Sequence, residues 1–396
     1  MKIYFYFLSV IFLYLVAGVF YSNIDLEIVS KEKPISFGLS KDFYDYAGVL
    51  NVHSKKSTGS SSIQDIIKAA NDVGLDFIIF NEEMPLGRKE PASINYGRLS
   101  VFYGFELPYK NTSVLFTDRL NKRTFTSNSE IQIFLSDYFD NGGDELIILA
   151  HPIRPGFEWK DEAPKEISGV EVLNLREVWR SSWREKKFLF LRTLFFYPFN
   201  PSLFFLNIYS DTAVSTNLWD SWNSKNHING YVGSDVNSKL RFGKKYIDFP
   251  GYKTIFSMAK NHVVIKEELT SVKKDKVLLE ALNRGSSYFS LDIFGNPSGF
   301  SFYANMISEP LRLMGSEVKL EDVKSLKINL PVTKVKVKTV LIKDSKIIKK
   351  SFGEFEYIPT EAGVYRVELH VAPRFPLFRE QKWIPWVFSN PIKITP

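Results

Sequence analysis

Five short apolar runs, at residues 77–80, 99–103, 146–150, 170–173 and 231–233, each lead into polar residues able to bind a metal or a proton. Together with the preceding Val49-Leu50-Asn51-Val52-His53, they put His53, Glu82, Glu83, Glu106, His151, Asn174 and Asp235 at or just beyond the C-terminal ends of predicted strands. Short apolar runs bounded by turn residues read as buried strands, and strands alternating with helical patterns predict an α/β architecture. In barrels of parallel strands and crossover helices, the C-terminal face is where the βα loops converge and sites are built. The first crossover helix is plain: Ser62 can cap it, Ile63, Ile66, Ile67, Ala70 and Val73 recur at helical spacing, and Gly74 stops it.

With 396 residues and 44% hydrophobic content the chain can bury a large core, and its length suggests two or three domains. Past about residue 298 the pattern changes to alternating polarity, as in the runs at 332–341 and 363–371, which predicts an antiparallel, sandwich-like domain. The expected organisation is an N-terminal segment over 1–22, a connector over 23–43, a barrel domain over 44–297 and a β-sandwich-like domain over 298–396.

Ile3 to Tyr21 is an almost unbroken apolar and aromatic run, preceded by Met1 and Lys2. At about 1.5 Å per helical residue it could cross a bilayer core of about 30 Å. It reads as a cleaved export signal or an uncleaved anchor. Phe20 and Tyr21 spoil the cleavage site that Val16-Ala17-Gly18 would offer, so the expectation is an anchor with the bulk of the protein exported, secretion being the alternative. A second aromatic-rich stretch, 188–209, reads either as helical packing against the barrel or as a membrane-facing surface.

The net charge of +7 would permit an anionic partner, but the basic residues are scattered, so no nucleic-acid partner is expected. The absence of cysteine excludes disulfides, thiolate metal sites and thiol nucleophiles. Any metal must therefore be held by His, carboxylates, amides or water.

The chain resembles the PHP (polymerase and histidinol phosphatase) family, whose His-x-His, Ser-Asp-Gly and Thr-Asp-His motifs stand here as Asn51-Val52-His53, Ser57-Thr58-Gly59 and Asn81-Glu82-Glu83. Gly104-Phe105-Glu106 resembles the family's Gly-x-Glu, Ala150-His151-Pro152 its Ala-His-Pro, and Gly233-Ser234-Asp235 its Gly-Ser-Asp-x-His. The order also holds for Gly169-Val-Glu-Val-Leu-Asn174 and for 281–288. The resemblance covers about 44–292 and implies a PHP-type distorted (β/α)7 barrel, TIM-barrel-like, with the C-terminal sandwich as in an exported branch of the family.

It further implies metal ligands at His53, Glu106, His151 and Asp235, with Glu106 bridging ions and Glu82 or Glu83 supplying oxygen or base function. Asn51 and Asn237 stand where the family places histidines. The implied cofactor is divalent manganese, magnesium or zinc; the oxygen-rich remainder shifts preference from zinc or iron toward manganese, magnesium or calcium. Loss of metal altogether is the alternative, with His53 then a barrel-end histidine satisfied by hydrogen bonds. Arg154 and Arg176 could pair with Glu106 and Asp235 or grip a substrate phosphate. His227, His262 and His370 fall outside every motif and read as structural.

Two functions follow. One is a metal-dependent phosphoesterase acting on a phosphorylated small molecule. The other is a catalytically inactive binding or scaffolding module with a protein partner.

Overall fold

The computed structural model describes residues 2–29, 43–83, 86–87, 91, 93–118, 123–154, 156–209, 213–224, 226–242, 245–266, 274–308, 310–372 and 383–396, without the side chains of 2, 3, 5, 213–215, 240–242 and 245–248. Most of the connector expected over 23–43 lies outside the described residues.

Seven strands close into a ring: β1 (Tyr44–Val52), β2 (Phe77–Glu82), β3 (Leu99–Tyr109), β4 (Thr112–Thr117), β5 (Leu146–Ala150), β6 (Gly169–Asn174) and β7 (Asn229–Val236). They follow one another in that order, and β7 pairs back onto β1 through Leu50 and Gly233. All neighbouring pairs are parallel except those of β4, which runs antiparallel to both β3 and β5. This is a mixed α/β structure with a distorted seven-stranded barrel at its centre.

The first crossover follows its sequence closely. The helix Ile63–Asp72 starts where Ser62 Oγ accepts from the Asp65 amide, buries Ile66, Ile67 and Ala70, and ends before Gly74 at φ 69°. β4 was not expected. Its Thr112-Ser113-Val114 opening follows the turn at Lys110, whose φ is 50°, so β3 and β4 form a hairpin in place of a helical crossover.

Alternate side chains of the strands build two cores. Leu50, Phe77, Ile79, Phe102, Leu115, Ile148 and Tyr231 gather with Leu278 and Leu282 of the helix Lys274–Arg284. That helix sits at the strand starts, where Lys274 Nζ donates to the Arg98 carbonyl and the Tyr231 hydroxyl donates to the Leu282 carbonyl. The opposite strand faces pack outward in a larger cluster that continues into the C-terminal region. The N-terminal mouth is thus filled with apolar side chains, which leaves the C-terminal mouth for polar ones.

Beyond the ring the sheet continues from β1 through Lys260–Ile265 and Ser287–Ser290 to Ile384–Ser389 and Gly363–Val371. A separate four-stranded sheet, containing Ser301–Met306 and Val323–Asn329, faces it, with Tyr357 and Tyr365 rings 6.2 Å apart across the gap. The two sheets agree with the alternation in the sequence. Arg366 of the central strand turns to the barrel side, where it grips Asp220 through Nε and Nη2 and lies 4.8 Å over Trp219.

The apolar N-terminal run forms the helix Lys2–Ser22. Among the described residues no helix is long and apolar enough to cross a membrane. The helix packs on the aromatic-rich stretch: Tyr14 lies 4.3 Å from Phe195, Tyr21 stacks on Phe196 at 4.1 Å, and Asn200 Nδ2 donates to the Tyr21 and Ile24 carbonyls. That stretch is divided in its burial, with Phe190, Phe204 and Phe205 buried and Phe188, Leu191 and Phe195 exposed.

Candidate metal centre

At the C-terminal mouth of the ring three polar residues hold left-handed backbone: Asn51 (φ 58°), His151 (φ 51°) and Asp235 (φ 43°). For a residue with a Cβ this conformation costs on the order of 1–2 kcal/mol, so the surrounding structure must hold it. At Asn51 the cause is visible: the register of β1 shifts against both β2 and β7 around it, forming a bulge that re-aims the end of the strand.

The side chains of His53, Glu106, His151 and Asp235 converge. His53 Nε2 lies 3.6 Å from Glu106 Oε2 and 3.5 Å from Asp235 Oδ1. His151 Nε2 lies 3.5 Å from Glu106 Oε1 and 3.8 Å from Asp235 Oδ2. The two histidines and two carboxylates therefore alternate around one small space. Ligand atoms bound at about 2.1 Å stand about 3.0–3.4 Å apart in octahedral or tetrahedral arrangements, so a slight contraction would seat an ion.

His53 makes the better test of fit. It is fully buried, yet neither ring nitrogen has a hydrogen-bond partner, and Asp235 Oδ2 has none either. Buried polar atoms are nearly always partnered. A divalent cation would satisfy both groups, so the residues present fit one. Two ligand groupings are geometrically available, His53 with Glu83 and Glu106, and His151 with Glu177 and Asp235.

Three residues outside the expected ligand set hold this arrangement. Glu171 is completely buried within β6 and accepts from Asn51 Nδ2 (2.8 Å), the His151 amide (3.1 Å) and Asn174 Nδ2 (2.9 Å). The strand opposite must carry glycine, because a Cβ on Gly233 would stand 1.7 Å from Glu171 Oε1. Asn174 caps the helix Leu175–Glu185 and touches His151 Nδ1 at 3.2 Å. Glu177, in the first turn of that helix, lies 3.8 Å from the same nitrogen. A carboxylate inside the apolar Val-Glu-Val run was the sequence signal for Glu171, and Asn-x-x-Glu at a helix start was the signal for Glu177.

The remaining candidates divide. Glu83 accepts from Thr58 Oγ1 at 3.0 Å and stays near His53 and Glu106. Glu82 is clamped by Ser54 and Ser57, accepting from both hydroxyls and from the Ser54 amide. Arg176 Nη1 donates to Asp235 Oδ1 at 3.0 Å, whereas Arg154 stacks over Phe157. Asn237 uses its carbonyl to accept from the Ser60 amide. His262 is enclosed between Asp45 (2.9 Å) and Asp292 (3.2 Å), and His370 pairs with Glu368, both away from the site.

The electrostatics follow from proximity inside a buried space. Burial is the largest influence on His151 and opposes its charge, yet the hydrogen bond to Glu106 and the fields of Asp235 and Glu171 lift it to about 10. His53 is raised in the same way, by Asp235 and Glu106 against burial. Burial likewise opposes the charge of Asp235 and Glu106, but their cationic neighbours hold both below the usual carboxylate range. Glu171, where burial dominates, is pushed up. Metal ligation needs the neutral imidazole, so binding of a cation here would compete with protonation of the two histidines.

No protein-family model matches the chain, and no curated protein does. Among solved structures, the chain is similar to a two-domain protein containing a predicted PHP-like metal-dependent phosphoesterase from Bacteroides vulgatus. The two are 11% identical, over 92% of this chain and 98% of that one, with a TM-score of 0.35. At that distance the site must be judged on this chain's own side chains.

Proposed function

We propose that the chain is a PHP-like, metal-dependent phosphoesterase whose ion is held by His53, Glu106, His151 and Asp235. The observation that carries this is the convergence of these four groups around a fully buried histidine with two unpartnered ring nitrogens. A divalent ion there would supply water of lowered pKa and positive charge for phosphoryl oxygens. The donors suit manganese, magnesium or zinc.

In the proposed reaction, water attacks phosphorus, the P–O bond to the organic group breaks, and the alcohol leaves with a proton while phosphate remains. Arg176 and Arg180, on successive turns of one helix face, would bind and orient the phosphate oxygens. Glu83, next to His53 and Glu106, would accept the proton of the attacking water. Glu82, with its oxygens taken by Ser54 and Ser57, would position the loop that carries Thr58. Glu171 would fix Asn51 and the His151 backbone.

One observation favours a second reading, a catalytically inactive binding module: Arg176 already supplies Asp235 with a cation at 3.0 Å. The two readings separate by experiment. Full-length protein reconstituted with manganese should hydrolyse members of a phosphomonoester panel, and Asp235→Ala and His151→Ala should each abolish turnover. Turnover unchanged in both variants would assign the activity elsewhere, and no turnover with any metal would favour the binding module.

We also propose that residues 1–22 hold the chain on a membrane surface, with its bulk exported. Tyr4, Phe7, Leu8, Phe12 and Leu13 are each 63–75% exposed, and apolar surface of that extent is unusual in water. Phe188, Leu191 and Phe195 share an exposed helix face beside Tyr14 and would extend the same contact.

A further inference from the structure

A pocket of about 200 Å³ opens beside Asp235, between the helix Leu175–Glu185, the end of β7 and the segment around Pro250. Trp179, Phe205, Phe249, Ile255 and Met258 line it. Arg176, Arg180 and Asp235 also line it, so the apolar space and the candidate metal centre share a wall. Natural interiors hold few voids larger than a water molecule, and a cavity of about 150 Å³ lined by apolar side chains suffices for benzene.

The apolar wall is built to keep its shape. The Trp179 ring lies 5.0 Å from Phe190, 5.0 Å from Phe204 and 5.5 Å from Phe249, all of them tilted or edge-on. Tyr197 closes the set at 4.6 Å from Phe249. Trp179, Phe190, Tyr197 and Phe204 come from the stretch that interrupts the barrel between β6 and β7, and Phe249 from the segment after β7, so the insert shapes one side of this pocket. On the helix, Arg176, Trp179 and Arg180 fall at i, i+3 and i+4 and therefore share one face. A ligand that meets this face meets positive charge and a flat apolar surface together.

We propose that this pocket is a specificity subsite that takes the aryl substituent of an organic phosphate, with the phosphate group at Arg176, Arg180 and the metal ligands. The inference rests on the phosphoesterase reading for the placement of the phosphate, while the pocket itself stands on its own geometry. A phosphate bearing only a small polar or methyl substituent would leave the apolar wall uncovered. A benzene-sized group would fill it.

The test compares phenylphosphonate with methylphosphonate, two non-hydrolysable probes, by calorimetry on the full-length protein in detergent with manganese present. Phenylphosphonate is expected to bind at least about tenfold more tightly, the advantage of burying one aromatic ring. Ile255→Phe, which fills the pocket, is expected to bring the ratio of the two affinities to about one. Affinities within about twofold of each other in the wild-type protein, or no binding of either probe, would overturn the proposal.

Hydrolysis separates the two layers. Preferential phenylphosphonate binding without turnover of phenyl phosphate would sustain the subsite and remove the phosphoesterase reading. Equal kcat/KM for phenyl and methyl phosphate would sustain the phosphoesterase and remove the subsite.

Discussion

The side-chain amide of Asn51 donates to Glu171 Oε1 across 2.8 Å in a fully buried contact, at the position where the motif it resembles carries a histidine. Glu171 receives two further bonds, from the His151 amide and Asn174 Nδ2, so one carboxylate ties β1, β5 and the start of a helix together. Asn51 therefore works here as a structural donor.

Glu171→Gln tests that role, since it keeps the volume and puts an amide where three donors point. Leaving buried donors unpartnered costs on the order of 1–3 kcal/mol each, so urea denaturation should show a loss of about that size. Because groups behind metal ligands typically tune affinity by about 10- to 100-fold, manganese affinity should fall by a similar factor. A variant with unchanged stability and affinity would contradict the positioning role.

Asp220 and Arg366 join the barrel to the sandwich through a bidentate contact that is almost wholly buried. Removing one partner of a buried pair costs about 3–5 kcal/mol when the other charge is left uncompensated; Arg366 Nη1 also donates to Glu368 Oε1 at 2.6 Å, which places the expected loss at or below the lower end of that range. Asp220→Ala should lower the denaturation midpoint accordingly, while Asp220→Asn, which keeps one acceptor, should cost less. Equal, small effects for both would show that Glu368 alone satisfies Arg366.

His262 predicts a pH dependence away from the candidate site. Burial, the largest influence, opposes its charge, yet Asp45 and Asp292 lift it to about 9, above an unfolded value of about 6.5. A raised pKa stabilises the fold fully below the unfolded value, and the contribution disappears as pH rises through the folded one. The stability gap between wild type and His262→Gln should therefore be largest near pH 6 and shrink by up to about 3 kcal/mol by pH 9.5. Denaturation across that range checks it, and a gap independent of pH would show that His262 is neutral.

Membrane attachment predicts that the full chain sediments with membranes and that deletion of residues 1–22 releases most of it. Phe188→Asp with Phe195→Asp should weaken whatever association survives the deletion. Fully soluble full-length protein would contradict the proposal.

Much of the barrel was legible because buried strands and capped helices carry local signals, as with Ser62, Ile66 and Gly74 around the first helix. β4 was not legible, because Thr112-Ser113 looks like loop and only the hairpin with β3 makes it a strand. His53, Glu106, His151 and Asp235 could be named from motifs, but their convergence depends on ring closure between β7 and β1. The pairing of Arg176 with Asp235 was one of the two readings the sequence offered, whereas the roles of Glu171 and Glu177 were hidden for a physical reason: each acts through partners distant in sequence, such as Asn51 on Glu171.

The central claim is that His53, Glu106, His151 and Asp235 hold a divalent ion, and elemental analysis of the reconstituted full-length protein tests it most directly. After incubation with manganese and removal of excess, the wild-type chain should retain about one equivalent of metal, and Asp235→Ala should lose most of it. Less than about a tenth of an equivalent of any divalent metal in the wild-type protein would contradict the account.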